Sequence, residues 1–241
     1  EVINLDMLAN GSIDGFILSV AKETLAKEDF HHIAETIDQG IPIVMFDRVI
    51  DEIPCDKVIV DDVATSKKAV QQLINSGCKK IGIISTMDYV SVGKLRTRGY
   101  MEALNHNDIS VDFNAILKID DEFHAANEHE ALEKQIQTYF KTNPDLDGVF
   151  AVNEIYAITA MKIARKMGKS IPEDIQFIGF TDGVLSQHAY PPLTTVSQHG
   201  FEMGEEAARL LIERLEKQDE ETESYQTVVV NTAIIDRHST K

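Results

Sequence analysis

The sequence predicts an α/β protein built on parallel sheets. Three observations carry this. Short runs rich in Val, Ile and Phe alternate with longer segments whose apolar residues recur at helical spacing. The strand runs, among them IPIVMF, KKIGIIS, DGVFAV and DIQFIGF, are apolar throughout, as in strands covered by helices on both faces. Helical segments close on Gly40 and Gly77, where a helix C-terminus favours glycine.

The elements follow in order. EVINLDMLANGSIDG (1–15) looks like the second half of a helix leading into a strand, so the first strand–helix–strand portion of this domain is expected to be missing. IDGFILSV (13–20) predicts a strand and LAKEDFHHIAETIDQG (25–40) a single helix. Strands follow at 41–46 and 57–62, then a helix over 64–77, a strand at 79–85 and a helix over 92–107. NAILKI (114–119) is a strand, 128–142 a helix, 147–152 a strand, 155–168 a helix, and 174–180 a strand ending in a loop. In PPLTTVSQHGFEMGEEAARLL (191–211) a double proline stiffens the chain and TTV runs extended. A helix over 201–218 follows at once, with Met203, Ala207, Leu210 and Leu211 on one face. Such an arrangement suits a crossover between two lobes of a hinged protein. DEETES (219–224) predicts an acidic turn and YQTVVVNTAII (225–235) one strand.

Length and composition narrow the function classes. A chain of 241 residues, 43% hydrophobic, makes one large α/β domain or two lobes of roughly 100 residues each. No apolar run reaches the roughly 18 residues of a membrane helix, so no membrane partner is expected. Cys55 and Cys78, without CxxC spacing, point to a reducing, cytoplasmic compartment. With 23 basic against 40 acidic residues, the net charge of −17 makes this chain alone a poor binder of polyanions.

Enzyme motifs are absent: no GxxxxGK[ST], no GxGxxG after a strand, no HExxH and no GxSxG. His31 and His32 are adjacent, diverge on a helix, and predict a solvated face, not a metal site. His188 and His199 bracket the double proline without a nearby Cys or spaced carboxylates. VDD (60–62) reads as helix-capping chemistry. No metal, no cofactor and no catalytic set is therefore expected.

Ligands of open α/β sheets lie beyond the carboxyl ends of the strands. There the sequence sets Asp47 and Arg48, Ser85 to Asp88, Arg96 and Arg98, Phe123, Asn153 and Glu154, and Thr181 and Asp182. Carboxylates, an amide, arginines and a ring together suit a small polar ligand. Each has a structural alternative. Asp47 can cap or solubilise a loop, Arg96 can lie on the surface, and Phe123 can anchor a loop on the core. Asn153 can cap the following helix, and Asp182 can stabilise a turn with Gly183.

Read in order, PIVMFDR, VIVDD with LINSGCKKIGII, LRTRGYMEAL, DGVFAVNE, IPEDIQFIGFTD, PPLTTVSQHGFEMGEEAARLL and the closing AIIDRHS carry a resemblance. From about Ile13 to Ser239 the chain resembles the effector-binding domain of lactose-repressor-type bacterial transcription regulators. That domain is related to the ribose- and galactose-type periplasmic binding proteins. The resemblance implies two Rossmann-like lobes joined by three crossovers, near Ser85–Asp88, Val196–His199 and Glu223–Thr227, with an effector in the cleft between them. The lobes would be 1–86 with 199–224, and 87–198 with 225–241.

Position by position, it makes Asp47 the strand-end acid that bonds effector, Arg96 the ligand clamp and Phe123 the stacking aromatic. Asn153 matches the asparagine of an Asn-Asp pair whose Asp is replaced by Glu154, and Gln198 matches a crossover glutamine. Thr181 stands where many members place a ligand-binding Asp, leaving Asp182 as the second member of that pair. The implied function is a ligand sensor for a small effector, a sugar or derivative with a nucleobase as runner-up. It would work in a homodimer whose pairing face includes the 64–77 helix, and would reach DNA only through a missing N-terminal helix-turn-helix. The alternative is a periplasmic sugar-binding protein of a transporter. Removing Arg96 is expected to change folding little, because a strand-end side chain facing a wet cleft adds little to a core.

Overall fold

A computed structural model describes residues 1–9, 11, 13–120, 128–216 and 224–241. In chain order the first elements are α1 (Val2–Leu8), β1 (Phe16–Leu18), α2 (Lys22–Lys27), α3 (His31–Asp38), β2 (Ile43–Phe46) and β3 (Asp56–Val60). Next are α4 (Asp62–Asn75), β4 (Ile81–Thr86), α5 (Ser91–His106), β5 (Ile116–Ile119), α6 (Glu128–Thr142), β6 (Gly148–Ala151) and α7 (Glu154–Lys166). The last are β7 (Gln176–Phe180), α8 (Val184–His188), β8 (Thr194–Ser197), α9 (Gly200–Glu216), β9 (Thr227–Val230) and β10 (Ala233–Ile235). Among the described residues no helix is long and apolar enough to cross a membrane.

Two compact units result. The smaller comprises residues 1–60, 89–91 and 199–231, the larger residues 61–88, 92–198 and 232–241.

The smaller unit holds a parallel sheet in the order β1-β2-β3-β9. Its core collects Val20, Ile33, Ile43, Met45 and Ile50, all buried. Helix α9 packs on β1, β2 and β3 through buried Met203, Ala207 and Leu210, the face its sequence predicts. The expected single helix over 25–40 is two, because Glu28 takes a left-handed φ of 52° and ends α2. His31 is exposed beside Glu35, but His32 is buried, its ring nitrogen 3.0 Å from Glu1. The solvated face expected for the pair therefore holds for His31 alone.

Buried Asp56 organises the unit's far end. Arg214 of α9 grips it through both oxygens at 2.8–3.0 Å, and the Gln226 N–H donates to it at 2.8 Å. That clamp starts β9 alongside β3, with Thr227 opposite Lys57. The strand expected over 225–235 is consequently two strands in two sheets, since β10 pairs antiparallel with β8.

The larger unit's sheet runs β10-β8-β7-β6-β4-β5, parallel except at β10. The chain leaves β4 for β5, passes back over β4 to β6, and continues outward to β7 and β8. Right-handed crossovers then put α5 on one face and α6 and α7 on the other. Tyr100 and Tyr139 are buried, and their hydroxyls donate to the Ile81 and Ala115 carbonyls, both at 2.8 Å. Helix α4 also packs on this sheet, against β6 and β7, with Ala69, Val70 and Leu73 fully buried.

The unit limits differ from the expected lobes at three places, one of them the short stretch 89–91, which falls in the smaller unit. Residues 61–86 join the larger unit because α4 and β4 build its core, and 225–231 join the smaller because β9 pairs with β3. The chain passes between units at 60/61, 198/199 and 231/232, with a brief excursion at 89–91. Only the second of these falls inside an expected long crossover, Val196–His199; the 88/89 step adjoins the first.

Candidate functional site

The direction change at β4 makes a topological switch point. There the connections from β4 and β6 run in opposite directions, and beyond the carboxyl ends of such a strand pair is the usual ligand position in a parallel sheet. Arg96, on the second turn of α5, reaches across it. Its Nε donates to Asp62 Oδ1 at 2.6 Å and its Nη1 to the Val152 carbonyl, just past β6, at 2.7 Å. The guanidinium carbon lies 3.6 Å from the centroid of the Phe180 ring, at the end of β7. Both members of the ion pair are 5% exposed. A guanidinium held by a carboxylate, a carbonyl and a ring has its plane fixed before any ligand arrives.

The sequence builds this arrangement locally. Asp61 caps α4 by accepting from the Ala64 N–H at 2.8 Å. That leaves Asp62 on the first helical turn, where the helix dipole favours a carboxylate. Gly99 lets α5 approach α4: a Cβ there would press on the Val63 carbonyl and stand 2.8 Å from Ser66 Cβ. The absent side chain brings Arg96, one turn earlier, within reach of Asp62. Beside it, Lys118 of β5 donates to Asp88 Oδ1 and to Thr97 Oγ1, both at 2.8 Å.

The other expected residues are distributed unevenly. Asn153 is the N-cap of α7, its Oδ1 accepting from the Tyr156 N–H at 2.8 Å, as its structural alternative anticipated. Glu154 accepts from the Ser186 hydroxyl at 2.9 Å and ties α7 to α8. Thr181 sits at φ 77°, a region that β-branched residues seldom occupy. Its hydroxyl donates to Gln198 Oε1 at 2.8 Å, and its carbonyl accepts from Thr195 Oγ1 at 2.9 Å. Strain of this kind costs about 1–3 kcal/mol and clusters at functional sites.

The same turn sends Asp182 to Arg237 at 2.6 Å, not into a turn with Gly183. Arg98 is exposed and paired with Glu102 along its own helix. In the smaller unit Asp47 follows β2, also with a positive φ, 57°, its N–H donating to the Val58 carbonyl at 3.1 Å. Its carboxylate lies 3.6 Å from the Arg48 guanidinium. Phe123 lies outside the described residues.

The structure thus joins Arg96 to the neighbours of Asn153 and Thr181, and joins Thr181 to Gln198. It also corrects the expectation that Arg96 adds little to folding, since that side chain is buried and bonded on several sides. Two residues escaped sequence reasoning, Asp62 and Phe180. A signal for the first was present: VDD offers two carboxylates where a cap needs one. Among the described residues no group of three His, Cys, Asp or Glu is placed to hold a metal ion. A cavity of about 340 Å³ lies at the opposite, amino-terminal rim, but its Lys80 is already paired with Asp145. The switch point is the better candidate, combining fixed polar groups with an aromatic face.

Comparison with known proteins places this chain in a family. Residues 70–240 match the periplasmic binding protein-like domain. The ribose operon repressor of Halalkalibacterium halodurans is 31% identical over 98% of the chain and 65% of its own length. The HTH-type transcriptional regulator CelR of Thermobifida fusca is 30% identical, over 86% of the chain and 58% of that protein. The HTH-type transcriptional repressor CytR of Escherichia coli K12 is 29% identical, over 89% and 60%. The chain therefore spans about 58–65% of the length of these curated relatives.

A solved structure of a transcriptional regulator CelR–cellobiose complex superposes with a TM-score of 0.82 at 27% identity, covering 98% of this chain and 69% of that one. The fold, the matched family and the relatives agree: the chain belongs to the periplasmic binding protein-like domain family, in the form carried by lactose-repressor-type regulators.

Proposed function

We propose that this chain is the ligand-sensing part of a DNA-binding transcription regulator and acts by binding, not catalysis. A small effector, a sugar or sugar derivative with a nucleobase as second choice, occupies the carboxyl rim of the larger unit's sheet. The observation that carries this is Arg96, braced across the switch point by Asp62, Val152 and Phe180. Asn153, Thr181, Asp182 and Gln198 of the same unit are proposed to contact the effector, and Asp47 and Phe123 are proposed as further effector-binding residues. Relatives named as repressors favour a regulator over a transporter's binding protein, and the similar regulator bound to cellobiose favours a sugar.

The effector favours one conformation of the protein over another and so changes the population competent for DNA. DNA contact falls to a part of the regulator beyond these residues, consistent with the net charge of −17. The regulator works as a homodimer. Its pairing surface is not the apolar side of α4, which is buried in its own unit. Exposed Ile155, Val184 and Leu185, on the contacting helices α7 and α8, are the better candidates. Sedimentation of the chain and of a Val184→Glu variant tests the pairing; a monomer at micromolar concentration refutes it.

A thermal-shift screen of sugars, nucleosides and nucleobases tests the sensor function. A ligand at roughly a hundred times its Kd stabilises the native state by about 2.7 kcal/mol, a clear rise in Tm. No rise with any member of the screen at millimolar concentration refutes it.

A further inference from the structure

We infer that the effector is uncharged, hydroxyl-rich and neither phosphorylated nor carboxylated, and that Asp62 sets this preference. The inference rests on the effector-site reading and goes further by naming the ligand's charge. In the larger unit, the cations whose contacts place them at these strand ends already have their anions. Arg96 is bonded to Asp62 at 2.6 Å with both side chains 5% exposed, and Lys118 is bonded to Asp88 at 2.8 Å. A third pair, Arg237 with Asp182 at 2.6 Å, occupies the carboxylate that follows β7. Glu154, after β6, adds a further carboxylate, bonded to a hydroxyl and an N–H of Ser186 and to no cation among these contacts. Among these described groups of the larger unit an incoming phosphate therefore meets neutral pairs and a further carboxylate, and loses its hydration without gaining a cation that lacks an anion already.

A neutral sugar suffers no such loss. Its hydroxyls accept from the oriented guanidinium and donate to carboxylates, and its ring face suits an aromatic surface. Asp62 is the selecting group because it neutralises Arg96, the cation that spans the switch point among the described residues. A site that rejects a competitor in this way discriminates by what it withholds as much as by what it offers.

The test compares sugars with their phosphate esters: ribose against ribose 5-phosphate, glucose against glucose 6-phosphate, and cellobiose, with inorganic phosphate as an ionic control. Calorimetry on the whole chain gives the affinities, and Asp62→Asn is measured beside it. The asparagine keeps an acceptor for Arg96 Nε and removes the charge. The expected result is a neutral sugar bound at least about tenfold tighter than its ester, with the ratio falling by about tenfold or more in Asp62→Asn. An ester that binds the unaltered chain as tightly as its sugar overturns the inference and leaves the effector site standing. Failure of every sugar and every ester to bind overturns the effector site and this inference together. Because the first comparison needs no variant, a misfolded Asp62→Asn protein does not rescue the idea.

Discussion

Replacing Asp62 with Ala should destabilise the larger unit severely. The side chain is 5% exposed and holds Arg96 Nε at 2.6 Å, so water can neither screen the pair nor replace the lost carboxylate. Removing one member of a buried ion pair typically costs about 3–5 kcal/mol, chiefly because the other charge stays buried. Arg96→Ala should cost a similar amount, since the Val152 carbonyl loses its donor and the Phe180 face its cation. The combined variant Asp62→Ala with Arg96→Ala should cost less than the sum by about 0.5–3 kcal/mol, the range seen for directly coupled groups. Urea denaturation followed by circular dichroism measures all three, the chain having no tryptophan to report by fluorescence. Two units can unfold separately, so hydrogen exchange at β4 and β6 amides assigns the loss to the larger one. A cost below about 1 kcal/mol for Asp62→Ala, or an additive cycle, would refute a buried coupled pair.

Further outcomes are expected. Gly99→Ala should lose about 1–3 kcal/mol, because the new methyl meets α4 backbone and cannot be accommodated by a side-chain rotation; an unchanged urea midpoint would show that the helices do not touch there. Hydrogen bonds from Lys162 and Lys166 hold Glu133 down at about 2, below its usual 4.5, so it stabilises the fold fully above about 4.5 and progressively less as pH falls toward 2. Glu133→Gln should therefore lower Tm at neutral pH and lose that difference in acid; a difference that persists in acid contradicts the ion-pair account. Burial pushes the Cys55 and Cys78 thiols up to about 11 from 9, so both should resist alkylation at pH 8 until denaturant is added. Rapid labelling of the folded chain would contradict their burial. The chain alone should not shift operator-like DNA in a gel even at low salt, where attraction is strongest; tight sequence-dependent binding would refute the charge argument.

The sheet architecture was legible because continuous Val and Ile runs and helical spacing are local signals. Strands β4, β6 and β7 and helices α5, α6 and α7 stand within a few residues of expectation. Which sheet a strand joins is not local. The split of 225–235 depends on Asp56 and Arg214, 158 residues apart in sequence, and no window of the chain displays that clamp. The assignment of α4 failed for the same reason, since its Val70 and Leu73 give an identical pattern on either sheet. At the site, strand ends announced Arg96, Asn153 and Thr181, but not what each does. Asn153 caps a helix, Thr181 carries strain, and Arg96 is buried against an aspartate that capping chemistry seemed to explain. Partners drawn from distant strands decide those roles, and residue type alone does not.

The most direct test of the effector site is calorimetric titration of the tightest-binding sugar into the unaltered chain and into Arg96→Lys. Lysine keeps the positive charge beside Asp62 but loses the planar fork, so a melting curve on the same sample should show a folded protein. Loss of about ten- to a hundredfold in affinity is the expected result, the effect of leaving ligand oxygens without their donors. Equal affinity in a folded Arg96→Lys protein would remove Arg96 from the site and contradict the account.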